Sequence, residues 1–228
     1  EESVINGLQE INSPEVPLSQ SALLVNGKGQ PKIGTELQKE FLTADNVDFI
    51  VSFLKDSGLN VVEKGLRSVI GRGGNVRVLT TTYMGASQKS AVDRLVELGA
   101  QVKISYDSTK TRLHAKSWII KRESGATTAY VGSSNLSLAA LQDGVEWNLR
   151  ISNREQPHII SVLETMFEET WNDIEFELYD PNRDGEKFAA AIESSASWGR
   201  GESGSLEQFF INFAGIEVEP RPFQQEVL

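Results

Sequence analysis

Apolar positions along the chain follow two rhythms that alternate. Residues 46–54 (NVDFIVSFL) form a short apolar, β-rich run, as expected of a buried strand. Residues 61–70 fit a helix, closed by Gly71-Arg72-Gly73-Gly74, where glycine supplies the turn. Residues 76–82 (VRVLTTT) read as a strand. Residues 87–98 carry a helical stripe of Ala91, Val92, Leu95, Val96 and Leu98, ended by Gly99. Residues 102–106 alternate as a strand. The order strand-helix-strand-helix-strand predicts an α/β sheet with parallel neighbours.

The rhythm then changes. Residues 113–121 alternate as a strand, 123–126 (ESGA) signal a turn and 127–132 form another strand, so the pair reads as a hairpin. Residues 136–141 are a short helical candidate, and 145–151 (VEWNLRI) alternate as a strand. Residues 157–171 place Ile160, Leu163, Phe167 and Trp171 three to four apart, the spacing of an amphipathic helix. Beyond Trp171 the period is lost. Residues 194–205 (SSASWGRGESGS) look like a linker, and 209–216 like a short strand. Residues 1–20 are polar, with Pro14 and Pro17, and read as an extended lead-in. No internal repeat is visible. The expected organisation is a lead-in over 1–34, a catalytic domain over 35–175 and an acidic extension and linker over 176–228.

The length of 228 residues is enough to bury a core without covalent staples. The chain has no cysteine, which excludes disulfides, thiolate metal sites and a cysteine nucleophile. Only two histidines, His114 and His158, are present. No apolar run reaches the ~18 residues of a membrane span and no signal peptide opens the chain, so a cytoplasmic protein is expected. The net charge of −10 at first argues against a nucleic-acid partner. The charge is unevenly spread, however. Residues 164–228 hold 15 acids and 4 bases, which leaves the rest near neutral. Residues 101–122 hold six bases (Lys103, Lys110, Arg112, Lys116, Lys121 and Arg122) against Asp107 alone. Such a run is either a solvated face or a polyanion-binding stripe.

That stripe contains His114-Ala115-Lys116. In a strand, residues two apart share a face, so His114 and Lys116 are expected to project together. By itself the pair is better explained by a surface location. The expected hairpin partner then delivers Gly132-Ser133-Ser134-Asn135. Glu146 follows inside an apolar run between Val145 and Trp147, where a carboxylate needs a partner such as an imidazole. These groups suit chemistry on a phosphodiester. A histidine can attack phosphorus while a carboxylate fixes its tautomer. A lysine and an asparagine can bind the nonbridging oxygens, whose charge rises in the transition state. No metal or other cofactor is needed, and the sequence shows no carboxylate cluster suited to hold an ion.

HAK at 114–116, GSSN at 132–135 and Glu146, in that order and spacing, resemble the H-x-K…G-S-x-N…E signature of the phospholipase D superfamily, in its nuclease branch, over about residues 35–175. Segments 52–62 (SFLKDSGLNVV), 77–87 (RVLTTTYMGAS) and 178–188 (LYDPNRDGEKF) resemble the N-terminal domain of bacterial DEAD/DEAH-type helicases tied to DNA restriction and defence. The terminal 220–228 (PRPFQQEVL) resembles the start of a superfamily 2 motor, so the chain is expected to be the front of a longer protein. The first resemblance implies a mixed, mostly parallel sheet flanked by helices, with one motif copy per chain. It implies His114 as a nucleophile forming a phosphohistidine, Lys116 and Asn135 as phosphate ligands assisted by Ser133, and Glu146 as the residue that orients His114. Members use two such motifs, the second histidine protonating the leaving oxygen. With one motif here, a homodimer is expected, its two His114 residues facing each other across a two-fold axis.

One departure is visible: Lys121 stands where the family often has Asp, which weakens a lipid-cleaving reading more than a nuclease one. Lys103, Lys110, Arg112 and Lys121 are candidate DNA-backbone ligands, or solvated charges. Tyr83, after a strand end, lines the same groove or simply packs. Trp118 and Trp147 are expected in the core, and His158 near a helix start. Three functions compete: a metal-independent nuclease acting on DNA, a non-catalytic DNA-binding or dimerisation module of the same helicase, and a lipid phosphodiesterase. The last is disfavoured by the acidic tail and the lack of a basic amphipathic helix.

Overall fold

Alternation along residues 46–51 sends Val47, Phe49 and Val51 to one side and Asp48 and Ile50 to the other, and all five are buried. A strand covered on both faces belongs at the centre of a sheet, and that is where it lies. The computed structural model describes residues 14–106 and 113–198. Its eight strands are β1 (Ala22–Leu24), β2 (Asn46–Ile50), β3 (Asn75–Thr81), β4 (Gln101–Ser105), β5 (Ser117–Lys121), β6 (Thr127–Gly132), β7 (Asn148–Ser152) and β8 (Phe176–Leu178). They form one sheet in the order β1-β7-β6-β5-β2-β3-β4-β8. The helices are α1 (Ile33–Phe41), α2 (Asp56–Gly71), α3 (Lys89–Glu97), α4 (Pro157–Asn172) and α5 (Pro181–Trp198).

The sheet is mixed and flanked by helices, as expected, but its balance is not mostly parallel. Only β2–β3 and β3–β4 run parallel. The pairs β2–β5, β5–β6, β6–β7, β1–β7 and β4–β8 are antiparallel. The reason lies in the connections. Helices long enough to cross over, α2 and α3, join only the first three central strands, whereas the turn at 123–126 permits only a hairpin.

Two apolar layers cover the sheet. On one face, Val47, Phe49, Val78, Ile104, Trp118 and Tyr130 pack with the buried stripes of α1, α2 and α3 and with Phe188 of α5. Trp118 stacks on Phe49 at 4.1 Å between ring centroids, as its core assignment from sequence requires. On the other face, Ile50, Leu79, Ile119, Ala129 and Ile151 meet Ile160 and Phe167 of α4.

The sheet and core extend past residues 35–175 at both ends. β1 pairs with β7, and β8 pairs with β4. Tyr179 and Phe188 lie in the main core, and α5 occupies part of the segment expected to be a linker. Its apolar stripe is narrow, little more than Phe188 and Ile192, and so leaves a faint helical period. The expected strand over 209–216 and the segment 220–228 lie outside the described residues. Among the described residues, no helix is long and apolar enough to cross a membrane.

A buried ionic cluster fastens the antiparallel half to α1. The Glu40 carboxylate, fully buried, accepts from Arg122, from Thr128 Oγ1 at 2.9 Å, from Tyr130 Oη at 3.0 Å and from Arg150 Nη2 at 2.7 Å. Arg150 in turn donates to the carbonyls of Pro17 (2.9 Å) and Gln20 (2.5 Å), which ties down the lead-in. Burial and the neighbouring Glu40 raise the Tyr130 phenol well above its ordinary range, so it stays a donor. Removing one member of a buried ion pair leaves an uncompensated charge. Glu40→Gln is therefore expected to cost about 3 kcal/mol in urea unfolding; an unchanged midpoint would refute the role given to this cluster.

Candidate active site

Four neighbouring strand ends bring the candidate residues to one edge of the sheet. The β2–β5 register pairs Ile50 with Ser117, so the chain beyond β2 runs beside 114–116. Lys116 O accepts from Gly132 N at 3.2 Å, and Ser133 N donates to Trp147 O at 3.1 Å. In strand order, residue 52, residues 114–116, 132–135 and 146–147 thus form one row. Gly132 is required here. A Cβ on it would collide with Trp147 O and Asn148 of the next strand.

The GSSN loop arches back across β5 to the end of β2. Asn135 Oδ1 accepts from Ser52 N at 2.9 Å and Phe53 N at 3.3 Å. Leu136 N donates to Phe53 O, and Lys55 N to Leu136 O at 2.8 Å. The N-terminal turn of α2 closes on the same loop, since a Cβ at Gly58 would collide with the backbone of Leu136 and Ser137. Because Asn135 Oδ1 faces two amides, its amino group faces away from them, and it can serve a substrate oxygen.

Lys116 is buried, 7 % exposed. Its Nζ donates to His114 O at 2.7 Å and Ser52 Oγ at 3.1 Å. A lysine has three donors, so one remains for a ligand. Burial pushes its pKa below the ordinary lysine range, and the Glu146 carboxylate opposes that shift. The His114 ring is more exposed. Partial burial, and then the Lys116 charge, lower its pKa, which favours the neutral, nucleophilic imidazole.

Two expectations need correction. Residues 113–116 are not in β5, which begins at Ser117. His114 and Lys116 therefore do not share a strand face, and the lysine instead folds back onto the histidine's own carbonyl. Likewise β7 begins at Asn148, so Glu146 lies just outside a strand. Its carboxylate accepts a hydrogen bond from Ser133 Oγ, not from His114. Ser133 Oγ also accepts from Trp147 N at 3.2 Å, so the Ser133 hydroxyl is fixed by its neighbours.

The basic stripe is not a single surface. Lys121, at the far end of β5, is roughly 13 Å from Ser117 at ~3.3 Å per residue, and it pairs with Asp48 at 2.8 Å. Lys103 donates to Trp171 O at 2.5 Å at the end of α4. Arg122 belongs to the Glu40 cluster. Lys110 and Arg112 lie outside the described residues. Tyr83 lies in a 3-10 turn (Tyr83–Gly85) after β3, at the same end of the sheet as Ser52. His158 sits in the first turn of α4. Trp147, expected in the core, is 64 % exposed beside Glu146. Sequence reasoning missed Ser52 and Phe53. The run 46–54 reads as one apolar strand, and nothing in it marks that the ladder stops at Ile50 and frees two amides.

The sequence matches the family described as "Cardiolipin synthase, PLD-like domain" over residues 42–171. No curated protein sequence matches the chain. Among solved structures it is similar to Nuc, a phospholipase D family member from Salmonella typhimurium, with a TM-score of 0.55 and 17% identity over 70% of this chain and 97% of that one. It is similar to NucT from Helicobacter pylori, with a TM-score of 0.51 and 16% identity over 66% and 94% of the two chains. Phosphatidylserine synthase from Haemophilus influenzae Rd KW20 also shares the fold, with a TM-score of 0.53 and 12% identity, the match covering 79% of this chain and 46% of that one.

The electrostatic coupling has a direct check by NMR. His114 is expected to titrate below 6.5, and Lys116→Met to raise its midpoint by removing the adjacent positive charge. A midpoint above 6.5 in the wild type, or one unmoved in the variant, would contradict the arrangement.

Proposed function

Because the chain belongs to the cardiolipin synthase PLD-like domain family, we propose that it is a metal-independent phosphodiesterase that cleaves DNA through a phosphohistidine at His114. The observation that carries this reading is the convergence of His114, Lys116 and Asn135 at one sheet edge, with Lys116 Nζ and the Asn135 amino group each keeping unused donors. A neutral His114 ring nitrogen attacks phosphorus, and the bond to the leaving oxygen breaks. Lys116 and Asn135 take up the charge that grows on the nonbridging oxygens. Water then attacks phosphorus, giving its proton to the group that had protonated the leaving oxygen, and the phosphorus–nitrogen bond breaks to restore the imidazole. Ser133 and Glu146 brace the loop that carries Asn135, and the Glu146 carboxylate opposes the downward pKa shift that burial gives Lys116.

The leaving oxygen needs a proton, and His158 is in the first turn of α4 rather than in this row of strand ends. In this reading the second histidine is the His114 of a second copy of the chain. An apolar surface next to the site fits that role. Leu149 shares the α4 side of the sheet with buried Ile151, two residues on, and Leu23 pairs with it in register. Leu149, Leu23 and Trp147 are all exposed. Such a patch beside a half-covered sheet face suits an isologous contact. The resemblance of segments 52–62, 77–87 and 178–188 to helicase-linked domains supports a place at the front of a restriction or defence helicase. DNA is favoured over lipid by that resemblance.

The test is cleavage of plasmid and single-stranded DNA in excess EDTA. Wild-type protein is expected to cut, and His114→Ala to lose at least ~10³-fold in rate, the scale of a lost nucleophile. A wild-type dimer that binds DNA without cutting it would replace this reading with a binding module. Light scattering is expected to give a dimer, and Leu149→Lys to give a monomer with little activity. A wild-type monomer with full activity would remove the shared site.

A further inference from the structure

Ser52 is the point where the two phosphate-binding groups meet. It follows β2 directly, it is 2 % exposed, and the chain at its N-terminal side is pinned by the bond from Val51 N to Leu79 O. Its amide donates to Asn135 Oδ1 at 2.9 Å, and its hydroxyl accepts from Lys116 Nζ at 3.1 Å. Among the described residues, no other one bonds both side chains. The remaining acceptor for Lys116 is the carbonyl of His114 itself, which belongs to the loop before β5 rather than to the sheet. Without the Ser52 hydroxyl, the lysine would be referenced only to the residue it serves.

We propose that Ser52 is a positioning residue: it fixes the Lys116 ammonium and the Asn135 amide in one frame tied to the central strand. The proposal rests on the phosphodiesterase reading for its effect on rate, but not for its effect on Lys116. Its chemistry is simple. A hydroxyl oxygen accepting from an ammonium stabilises the charged form, and a carbon in its place does not. The backbone amide that holds Asn135 survives any side-chain change at 52, so substitution isolates the lysine half of the frame. The third Lys116 donor then points to a place set by two fixed acceptors, as a transition-state ligand requires.

Two measurements on the whole chain test this. In the first, the Lys116 ammonium is titrated by NMR on 13C-lysine-labelled protein, with Lys116→Arg identifying its signal. Ser52→Ala is expected to lower the Lys116 midpoint by about one pH unit, the scale of a lost hydrogen bond to a charged group, and Ser52→Thr to restore it. In the second, the pH profile of DNA cleavage in EDTA is measured. Ser52→Ala is expected to lower kcat about tenfold and to move the alkaline limb down by the same amount, with KM changed less. Threonine is expected to recover both. A packing role alone would lower the melting temperature without moving either titration. A Lys116 midpoint that is unmoved in a folded Ser52→Ala protein overturns the proposal. If the midpoint moves but the wild type cuts no DNA, the positioning stands and the nuclease reading fails.

Discussion

Everything at the candidate site depends on the antiparallel pairing of β2 with β5. It joins two halves of different origin, a parallel unit built from helical crossovers and an antiparallel unit built from hairpins. The register Ile50 to Ser117 decides what meets beyond the ladder's end: Ser52 and Phe53 on one side, His114 to Lys116 on the other. A slip of one residue would exchange the faces of β5. Trp118 and Ile120 would leave the helical layer, and the residue offered to Ser52 would no longer be Lys116. The stacked Phe49–Trp118 pair and the Glu40 cluster, which grips Arg122 at one end of β5 and Tyr130 on its hairpin partner, hold this register.

The electrostatic design follows from that geometry. A buried ammonium is costly unless it is hydrogen-bonded. Here it is bonded to two oxygens, and the Glu146 carboxylate opposes the downward shift that burial causes. Partial burial, and then this same charge, lower the pKa of the nearby imidazole. The cation also offsets the polarity of the chain as a whole: the net charge of −10 is concentrated toward the C-terminal third and says little about this edge.

Much of this could be read from the amino acids. The spacing HAK…GSSN…E pointed to the groups that converge, and the long periodic segments became β2, α2, β3, α3, β4 and α4 with ends moved by a few residues. What could not be read has physical causes. β1 and β8 are three-residue edge strands with too few positions to show a period. α5 buries little beyond Phe188 and Ile192. Parallel balance was overestimated because periodicity reports burial and not strand direction. Trp147 looked like core because its neighbours alternate, but the ladder begins one residue later, and its ring is left outside. Ser52 was invisible because its role comes from where pairing stops, which depends on the partner strand. The charge stripe misled for the opposite reason: among its described residues, Lys103, Lys116, Lys121 and Arg122 have separate partners at different places on the sheet.

The central claim is that His114 carries the phosphoryl group. The most direct measurement is rapid-quench mass spectrometry of the protein mixed with a DNA oligonucleotide in EDTA, with mapping of any adduct. The account predicts a nucleotide-bearing mass on the peptide that contains His114, forming and decaying within a turnover. Cleaved product without any adduct there, together with undiminished cleavage by His114→Ala, would contradict it.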